Sequence, residues 1–365
     1  MFAYQVYFYV RYLEAIHRQA RRKRKHPNPQ VKDEDLPTVS VLVCAHNEAQ
    51  NIEPYLQALL SQDYPTFEVI VVNDGSEDQT ADIVEDYMLH DKRLHLTFVP
   101  KGARVGSTKK LGLTLAAKAA RYDYLLLTDA DCRPESNQWI REMVKGLSKE
   151  REIVIGYGGY FMEHSILSRM ISYDTLFNGL HYLGAAIIGH PYMGIGRNLL
   201  YSKKLFFSSG GFSSQMTSRS GDDDLFINRV ATKKNTAVVC TPESITWSLG
   251  KRTFHEWIMQ KRRHLSVSPQ YRLGTKLHLG IEPMTRGLFY ALLIAIGCLS
   301  PLVCLLAALA LWLIRFNMQF VVLNRGAHRL GQGWVTPTMM LWDIFLPIIT
   351  LLLMCFNRVN KNNHW

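Results

Sequence analysis

Short apolar runs alternate with amphipathic stretches over the first half of the chain, beginning after a polar, proline-bearing linker at 27–37. The stretches between the runs have the period of helices, at about 51–62, 80–90 and 107–121. The apolar runs predict four buried strands, at 39–44, 67–72, 94–99 and 124–128. Buried strands that alternate with helices are typical of a parallel sheet covered on both faces. The pattern therefore predicts an α/β fold with a mostly parallel sheet.

The second half is mixed and then becomes strongly apolar. It predicts a strand at 153–158 and helices at about 166–183 and 253–265. The chain is apolar from Gly287 onward. The apolar segment 288–322 is too long for one membrane span, and Pro301 interrupts it, so we expect a hairpin of two short helices. A third candidate span, 339–356, contains Asp343 and Pro347; an acid at membrane depth usually faces protein or water. We expect three parts: a membrane-proximal segment at 1–36, a catalytic domain at 37–285, and a membrane region of two or three helices at 286–365.

Charge adds to this picture. The formal net charge is +11, and 11–32 holds eight Lys or Arg and one acid, Glu14. Such a run beside apolar sequence can bind anionic lipid at about 1 kcal/mol per charge. We expect no nucleic-acid partner, because the run lacks stacking aromatics.

The segment 1–13 is short for a span, so it is expected to be an interfacial helix or the remnant of a longer anchor. The basic loop at 325–329 favours a cytoplasmic position, with the catalytic domain on the same side.

Polar residues follow three of the predicted strands. In a parallel sheet, ligands bind in the crevice at the carboxyl ends of the strands. The residues at those ends are His46-Asn47-Glu48, Asn73-Asp74-Gly75-Ser76 and Asp129-Ala130-Asp131. Their coincidence at one edge predicts a binding site there.

The two acids Asp129 and Asp131 can share one Mg²⁺ or Mn²⁺ and leave positions open for diphosphate oxygens. Asp74 can accept hydrogen bonds from a ribose or a base edge. The alternative for Asp74 is a turn-forming Asp-Gly that also caps the following helix.

A second acidic cluster, 221–224, contains Asp222 and Asp223. Sugar transfer with inversion needs a base for the acceptor hydroxyl, and clustered carboxylates raise one another's pKa. The alternative is a group of acids that favours a helix N-terminus.

Two cationic groups complete the candidates. Gln260, Arg263 and His264 lie on a predicted helix, where arginine can bind phosphate or simply flank the membrane. Lys109 and Lys110 begin another helix and can reach an anionic donor or remain solvated.

Together these residues resemble the inverting family 2 glycosyltransferases with the GT-A fold, a Rossmann-like sheet domain. The pattern is most similar to the membrane-integrated cellulose, chitin and hyaluronan synthases. The resemblance implies that three elements bind the donor. They are the Asn-Glu pair after the first strand, the Asp that contacts the nucleotide base, and the Lys-rich element. Here these are Asn47, Glu48, Asp74, Lys109, Lys110 and Asp129. It also implies that Asp131, the second acid of Asp-x-Asp, is the metal ligand, with Asp129 beside it.

The resemblance also assigns a base and an acceptor site. In the hyaluronan-type register, Gly-Asp-Asp followed by Phe226 and Asn228-Arg229 makes Asp223 the base. A register anchored on other family members, in which an Asp precedes a Leu, selects Asp222 instead. The Gln-x-x-Arg-Trp motif that contacts the acceptor and diphosphate is represented by Gln260, Arg263 and His264. Because His replaces Trp, a long translocation channel is not expected.

The resemblance implies an integral protein of the bacterial inner membrane. It would move a sugar from a nucleotide donor, most simply a UDP-sugar, to a lipid-linked or membrane-proximal acceptor in envelope glycan or glycolipid synthesis. A processive polysaccharide synthase and a catalytically silent membrane scaffold are the alternatives. A nucleotidyltransferase usually has a glycine-rich loop after its first strand, and 46–49 holds no glycine.

Overall fold

The chain folds into two compact units. The computed structural model describes residues 1–25, 32–100, 102–103, 105–218, 220–299 and 301–359. One unit, here named the sheet unit, is formed by Lys23–Phe161 and Gly189–Leu249. The other, the helical unit, is formed by Met1–Arg22, Met162–Ile188 and residues 250–359.

The sheet unit contains two sheets. The strands are β1 Val39–Ala45, β2 Phe67–Asn73, β3 Leu94–Phe98, β4 Tyr124–Asp129, β5 Cys132–Pro134, β6 Ile153–Ile155, β7 Gly158–Tyr160, β8 Leu199–Ser202, β9 Thr236–Val238 and β10 Thr246–Ser248. The larger sheet has the order β3-β2-β1-β4-β8-β6-β9, and the smaller has the order β5-β10-β7. Strands β3, β2, β1 and β4 are mutually parallel, and β8 runs antiparallel to both β4 and β6. The predicted α/β fold with a mostly parallel sheet is therefore confirmed.

Helices cover this sheet. They are α3 Ala49–Leu60, α4 Thr80–His90, α5 Thr108–Ala119, α6 Trp139–Val144, α8 Lys203–Ser208 and α9 Asp224–Val230. Strand residues such as Val41 and Val69 are fully buried, and they pack in one core with Leu56 of α3 and Trp139 of α6. Each fully buried side chain of this size stabilises the fold by about 1.5–3 kcal/mol. The strands are apolar along their whole length because helices bury both faces of the sheet, as the alternation of apolar runs and helices predicted.

The register brings three strand ends to one edge. Ala45 pairs with Asn73 across β1 and β2, and Cys44 pairs with Asp129 across β1 and β4. The N–H of Asp74 donates to the carbonyl of Ala45 over 2.8 Å, just beyond the ladder. The residues that follow these strands therefore lie side by side.

The single strand predicted at 153–158 is wrong. Its residues form β6 in the larger sheet and β7 in the smaller one. A side chain at Gly156 would meet the amide of Asn198 within 2.5 Å. The chain therefore changes sheets at a glycine that packs against Asn198, a contact that the apolar pattern does not reveal.

The helical unit holds the long apolar helices. Its elements are α1 Phe2–Phe8, a π-helix Tyr9–Leu13, α2 Ala15–Lys25 (whose last three residues belong to the sheet unit), α7 Ile166–Ile187, α10 Phe254–Leu265, α11 Leu273–Leu299, α12 Leu302–Arg329 and α13 Trp342–Val359. Three segments are long and apolar enough to cross a membrane: Leu273–Leu299, Leu302–Arg329 and Pro337–Arg358. The break predicted at Pro301 is present, but the expectation of two short helices is wrong, because α11 and α12 have 27 and 28 residues. The basic loop expected at 325–329 is also wrong, since these residues form the end of α12. The first of these helices, however, begins at Leu273 rather than near Gly287, because exposed Leu273, Leu277 and Ile281 continue an apolar stripe through its polar half.

The N-terminal segment packs inside the helical unit. Phe8, Tyr9 and Leu13 are buried, and the ring of Phe8 lies 4.9 Å from that of His181 on α7. One face of the segment is therefore covered by protein, whereas Tyr7 and Val10 are exposed, and its position as an interfacial helix or the remnant of an anchor stays a prediction.

An ionic cluster lies among the apolar helices. Asp343 is 1% exposed, and its carboxylate lies 2.8 Å from the guanidinium groups of both Arg286 and Arg315. Gln319 and Tyr290 also donate to it over 2.8 Å. The acid in the third predicted span therefore faces protein, as expected for an acid at membrane depth.

We predict that Asp343→Ala lowers the free energy of unfolding by about 3–5 kcal/mol, because two buried arginines would lose their shared counter-charge. Denaturant unfolding of the full chain in detergent measures this. Glu163→Ala removes an exposed acid of the same unit and should change stability by less than about 0.5 kcal/mol. Equal effects of the two variants would contradict the assignment.

Candidate active site

The loop after β1 is tied to the loop after β2. Asn47 has φ +54°, and among the described residues no other non-glycine has a positive φ; asparagine tolerates this region better than most residues. Its N–H donates to Ser76 Oγ over 3.0 Å, and its Oδ1 accepts from the N–H of Glu77 over 2.8 Å. The Glu48 carboxylate accepts from Asn51 over 2.7 Å. Both residues of the predicted Asn-Glu pair thus order this edge of the sheet, and their contact with a donor stays a prediction.

Asp74 lies at the same edge. Its carboxylate accepts a hydrogen bond from Thr108 Oγ1 over 2.7 Å. It does not cap α4: Gln79 is the N-cap residue, and Asp78 accepts from the N–H of Thr80 over 3.0 Å. The capping alternative is therefore wrong, and the Asp74 carboxylate is partly exposed at the edge.

The Asp-x-Asp acids follow β4. Asp129, Asp131 and Cys132 each offer one ligand atom, and these atoms lie within 4.8 Å of one another. Burial raises the pKa of the Asp131 carboxyl, and the neighbouring Asp129 raises it further, whereas Arg197 opposes the shift. A divalent cation would relieve this crowding, and carboxylate oxygens are the ligands that Mg²⁺ and Mn²⁺ prefer. The donor set therefore fits such an ion. Cys132 is fully buried, with its Sγ 2.8 Å from Ser248 Oγ.

Lys109 joins the two acidic groups. Its ammonium lies 2.7 Å from Asp129 Oδ1 and 3.5 Å from Asp222 Oδ2. Burial would lower the pKa of Lys109, but the two carboxylates outweigh it and hold the pKa well above its usual value. A charged lysine thus brings the acids from 129–131 and 222–224 into one site.

Asp223 is held by two backbone donors. Its Oδ2 accepts from the N–H of Gly196 over 2.6 Å, and its Oδ1 accepts from the N–H of Asp224 over 2.7 Å. Burial, and then the charges of Asp222 and Asp224, raise its pKa to about 7. Asp223 is also the N-cap residue of α9, so the helix-terminus alternative describes part of its role. A carboxylate with this pKa is nevertheless suited to exchange protons near neutral pH.

Sequence reasoning missed Arg197. Its guanidinium donates to the carbonyls of Gly158 and Gly159 over 3.0 and 3.1 Å and to Ser248 Oγ over 3.2 Å. It lies 4.2 Å from the centre of the Tyr160 ring. Its charge opposes that of the Asp-x-Asp acids. The glycine-rich segment 194–198 was the only signal, and it gave no link to acids more than 60 positions earlier.

Lys110 has a different environment from Lys109. Its side chain is fully buried, and its ammonium donates to the carbonyls of Gln215, Ser218 and Ser220 over 2.7–2.8 Å. In this structure it binds backbone rather than facing the open edge. Its predicted contact with a donor remains untested.

The candidate acceptor residues Gln260, Arg263 and His264 lie on α10 in the helical unit. A capping box of Thr253 and Glu256 starts this helix, and Lys261 forms an ion pair with Asp174 of α7. Arg263 Nη2 lies 3.4 Å from His264 Nε2. The role of this group stays a prediction.

Comparison with known proteins identifies the class of fold and then the family. The structure is similar to the mannosyltransferase PcManGT from Pyrobaculum calidifontis, solved with GDP-Man and Mn²⁺, with a TM-score of 0.60, 18% identity and 99% of each chain covered. Residues 40–213 match the family described as Glycosyl transferase family 2. The chain thus contains a family 2 glycosyltransferase domain with the GT-A fold, as the resemblance implied.

Two curated relatives show more limited similarity. An uncharacterized glycosyltransferase of Haemophilus influenzae is 32% identical over 120 residues, which is 33% of this chain and 36% of the relative. The poly-β-1,6-N-acetyl-D-glucosamine synthase of Staphylococcus epidermidis is 36% identical over 93 residues, 26% of this chain and 21% of the relative. The chain therefore spans little more than a third of the first relative and about a fifth of the second.

The raised pKa of Asp223 predicts a pH-dependent gain in stability for Asp223→Asn. A carboxyl with a native pKa of about 7, above its unfolded value, destabilises the fold when it is charged. The variant should therefore melt a few degrees higher at pH 8. The gain should shrink as pH falls through 7 and disappear near pH 4.

Asp91→Asn is the control of opposite sign, because a hydrogen bond from Arg93 lowers the pKa of Asp91. That variant should melt lower than wild type above about pH 4. Thermal unfolding scans at several pH values measure both. A gain for Asp223→Asn that does not change with pH would contradict the assignment.

Proposed function

We propose that this protein is an inverting glycosyltransferase that moves a sugar from a UDP-sugar to a lipid-linked or membrane-proximal acceptor. One observation carries the proposal: Lys109 joins Asp129 of the Asp-x-Asp motif to Asp222 of the second acidic group. Metal-ligand chemistry and a candidate base are therefore neighbours in one site. Their sequence separation of more than 90 residues makes a chance solvated cluster a poor explanation.

The donor is proposed to bind at the edge of the larger sheet where β1, β2 and β4 end. Asp131, with Asp129, would hold a divalent cation, which when bound neutralises charge on the leaving diphosphate. Lys109 and Arg197 add fixed positive charge beside these acids, which favours a diphosphate over a neutral ligand. Asp74, partly exposed at the same edge, would hydrogen-bond the nucleoside.

Asp223 is the proposed base. As the acceptor hydroxyl attacks the anomeric carbon, Asp223 accepts the hydroxyl proton and the carbon–diphosphate bond breaks on the opposite face. Asp222 is the weaker candidate, because its carboxylate lies 3.5 Å from the Lys109 ammonium and protonation would remove that attraction. The N–H of Gly196 fixes one oxygen of Asp223 and aims the carboxylate.

The acceptor is proposed to lie at the membrane. The three membrane-length helices anchor the chain, and Arg325 and Arg329 near the end of α12 favour a cytoplasmic position for that end. Gln260, Arg263 and His264 on α10 would contact the acceptor or the diphosphate. The proposed location is the bacterial inner membrane, with the sheet unit in the cytoplasm and the product a component of envelope glycan or glycolipid.

A processive synthase is the second candidate, favoured by the similarity to the poly-β-1,6-N-acetyl-D-glucosamine synthase. The histidine at position 264, where the synthases have tryptophan, supports addition of one or a few sugars instead. The length of the product distinguishes the two.

We predict that Asp131→Ala abolishes Mn²⁺-dependent binding of UDP, because the site would lose a principal metal ligand. Titration calorimetry with UDP, with and without Mn²⁺, measures the change. Glu135→Ala, an exposed acid four residues along, should bind as wild type does. Unchanged UDP affinity in Asp131→Ala would refute the metal assignment, and failure of wild type to bind any nucleoside diphosphate would favour a silent scaffold.

We also predict that Asp223→Asn binds UDP with Mn²⁺ normally but loses about 10²–10⁴-fold in transfer rate. For wild type, the rate should fall as pH drops below about 7, because the base becomes protonated. A panel of nucleotide sugars, read by thermal shift, supplies the donor for this assay. If Asp222→Asn alone shows the loss, Asp222 is the base.

A further inference from the structure

Lys110 uses a full set of ammonium donors on one loop. Its side chain is 0% exposed, and its Nζ donates to the carbonyls of Gln215 (2.8 Å), Ser218 (2.8 Å) and Ser220 (2.7 Å). An ammonium has three N–H donors and no acceptor, so three carbonyls satisfy it completely. Lys110 therefore fixes this loop at three points spread over six positions.

A second contact holds the same loop from the residues before α5. A side chain at Gly106 would lie 2.6 Å from the carbonyl oxygens of both Met216 and Thr217. The glycine has no positive φ that would otherwise demand it. Because Gly106 has no side chain, its backbone can lie close to the backbone of Met216 and Thr217. Lys110 and Gly106 thus hold one loop by two independent contacts.

The held loop leads directly into the acidic group. Ser220 precedes Gly221, whose φ of +93° turns the chain before Asp222 and Asp223. The adjacent Lys109 meanwhile pairs with the Asp222 side chain. The two lysines of the first turn of α5 therefore hold the acidic group in two ways, one through a carboxylate and the other through the backbone that precedes it.

A charge at this depth is costly unless it is satisfied, and an apolar side chain would pack the same space without that cost. What the ammonium adds is a set of directional bonds to one loop. Placement of a reacting group is sensitive to shifts of about 1 Å, which can change a rate by about 100-fold. A function in placing the acidic group accounts for the buried charge.

We propose that Lys110 is a positioning residue that sets the place of Asp223 by anchoring the backbone at Gln215, Ser218 and Ser220. The proposal rests on the proposed role of Asp223 as the base. In this proposal Lys110 acts through the loop, in place of the donor contact that the resemblance implied.

The test compares three variants of the full chain. Lys110→Met removes the three bonds. Gly106→Ala pushes the same loop without changing charge, and so remains informative if the first variant folds poorly. Lys118→Met makes the same chemical change at an exposed position of α5. Hydrogen exchange is measured on the protein alone, UDP binding with Mn²⁺ by calorimetry, and turnover with UDP-N-acetylglucosamine.

Lys110→Met and Gly106→Ala should speed exchange in peptides that contain 215–218 or 220–224, while those from β1 and α3 stay protected. Both should lower kcat by about 100-fold with UDP affinity unchanged, and Lys118→Met should match wild type. Unchanged exchange at 215–224 in both variants, or a parallel loss of UDP affinity, would overturn the proposal. If wild type does not turn over this donor, that result concerns the proposed function, and the exchange measurement still decides the role of Lys110.

Discussion

The repulsion between carboxylates gathered at one edge of the sheet is the constraint that the site has to meet. Asp129, Asp131, Asp222 and Asp223 come from two distant parts of the chain. Two like charges about 4 Å apart repel by about 4 kcal/mol near a protein surface. Lys109 offsets part of this cost by binding Asp129 and Asp222 together. Burial, and then the remaining repulsion, raise the pKa of Asp131 and Asp223, the residues to which we assign the metal and the proton.

The helical unit solves the opposite problem. Its outer surface is apolar along α11, α12 and α13, yet Arg286, Arg315 and Asp343 lie inside it. In lipid, an unpaired charge finds no water, so pairing inside the bundle is the available solution. The ionic cluster therefore fixes which faces of the three helices turn inward, while their leucine-rich faces remain free to contact lipid.

The sequence was most informative where structure is local or where a strand is buried on both faces. The four long parallel strands and the break at Pro301 are visible as apolar runs and as a helix breaker. The change of sheet at Gly156 is not, because it depends on Asn198, which lies 42 positions away. The start of α11 at Leu273 was missed because polar residues mask its apolar stripe.

The same distinction holds for the site. Asp129, Asp131 and Asp74 were found because each follows an apolar strand. Lys109 and Lys110 looked equivalent, since adjacent residues share composition and charge. Their side chains leave the helix in different directions, and one reaches carboxylates while the other reaches carbonyls. Only tertiary structure separates two neighbours of the same type.

Strand β8 explains why Arg197 escaped notice. It runs antiparallel to β4, and Leu199 pairs with Leu127. The beginning of β8, rather than its end, therefore lies level with the Asp-x-Asp acids, and the residues that precede it, Gly196 and Arg197, reach the site. An antiparallel strand brings the residues before its first residue to this edge, so a search limited to the carboxyl ends of strands misses them. In sheets of this topology, the segment just before a reversed strand lies at the same edge as the loops after the parallel strands.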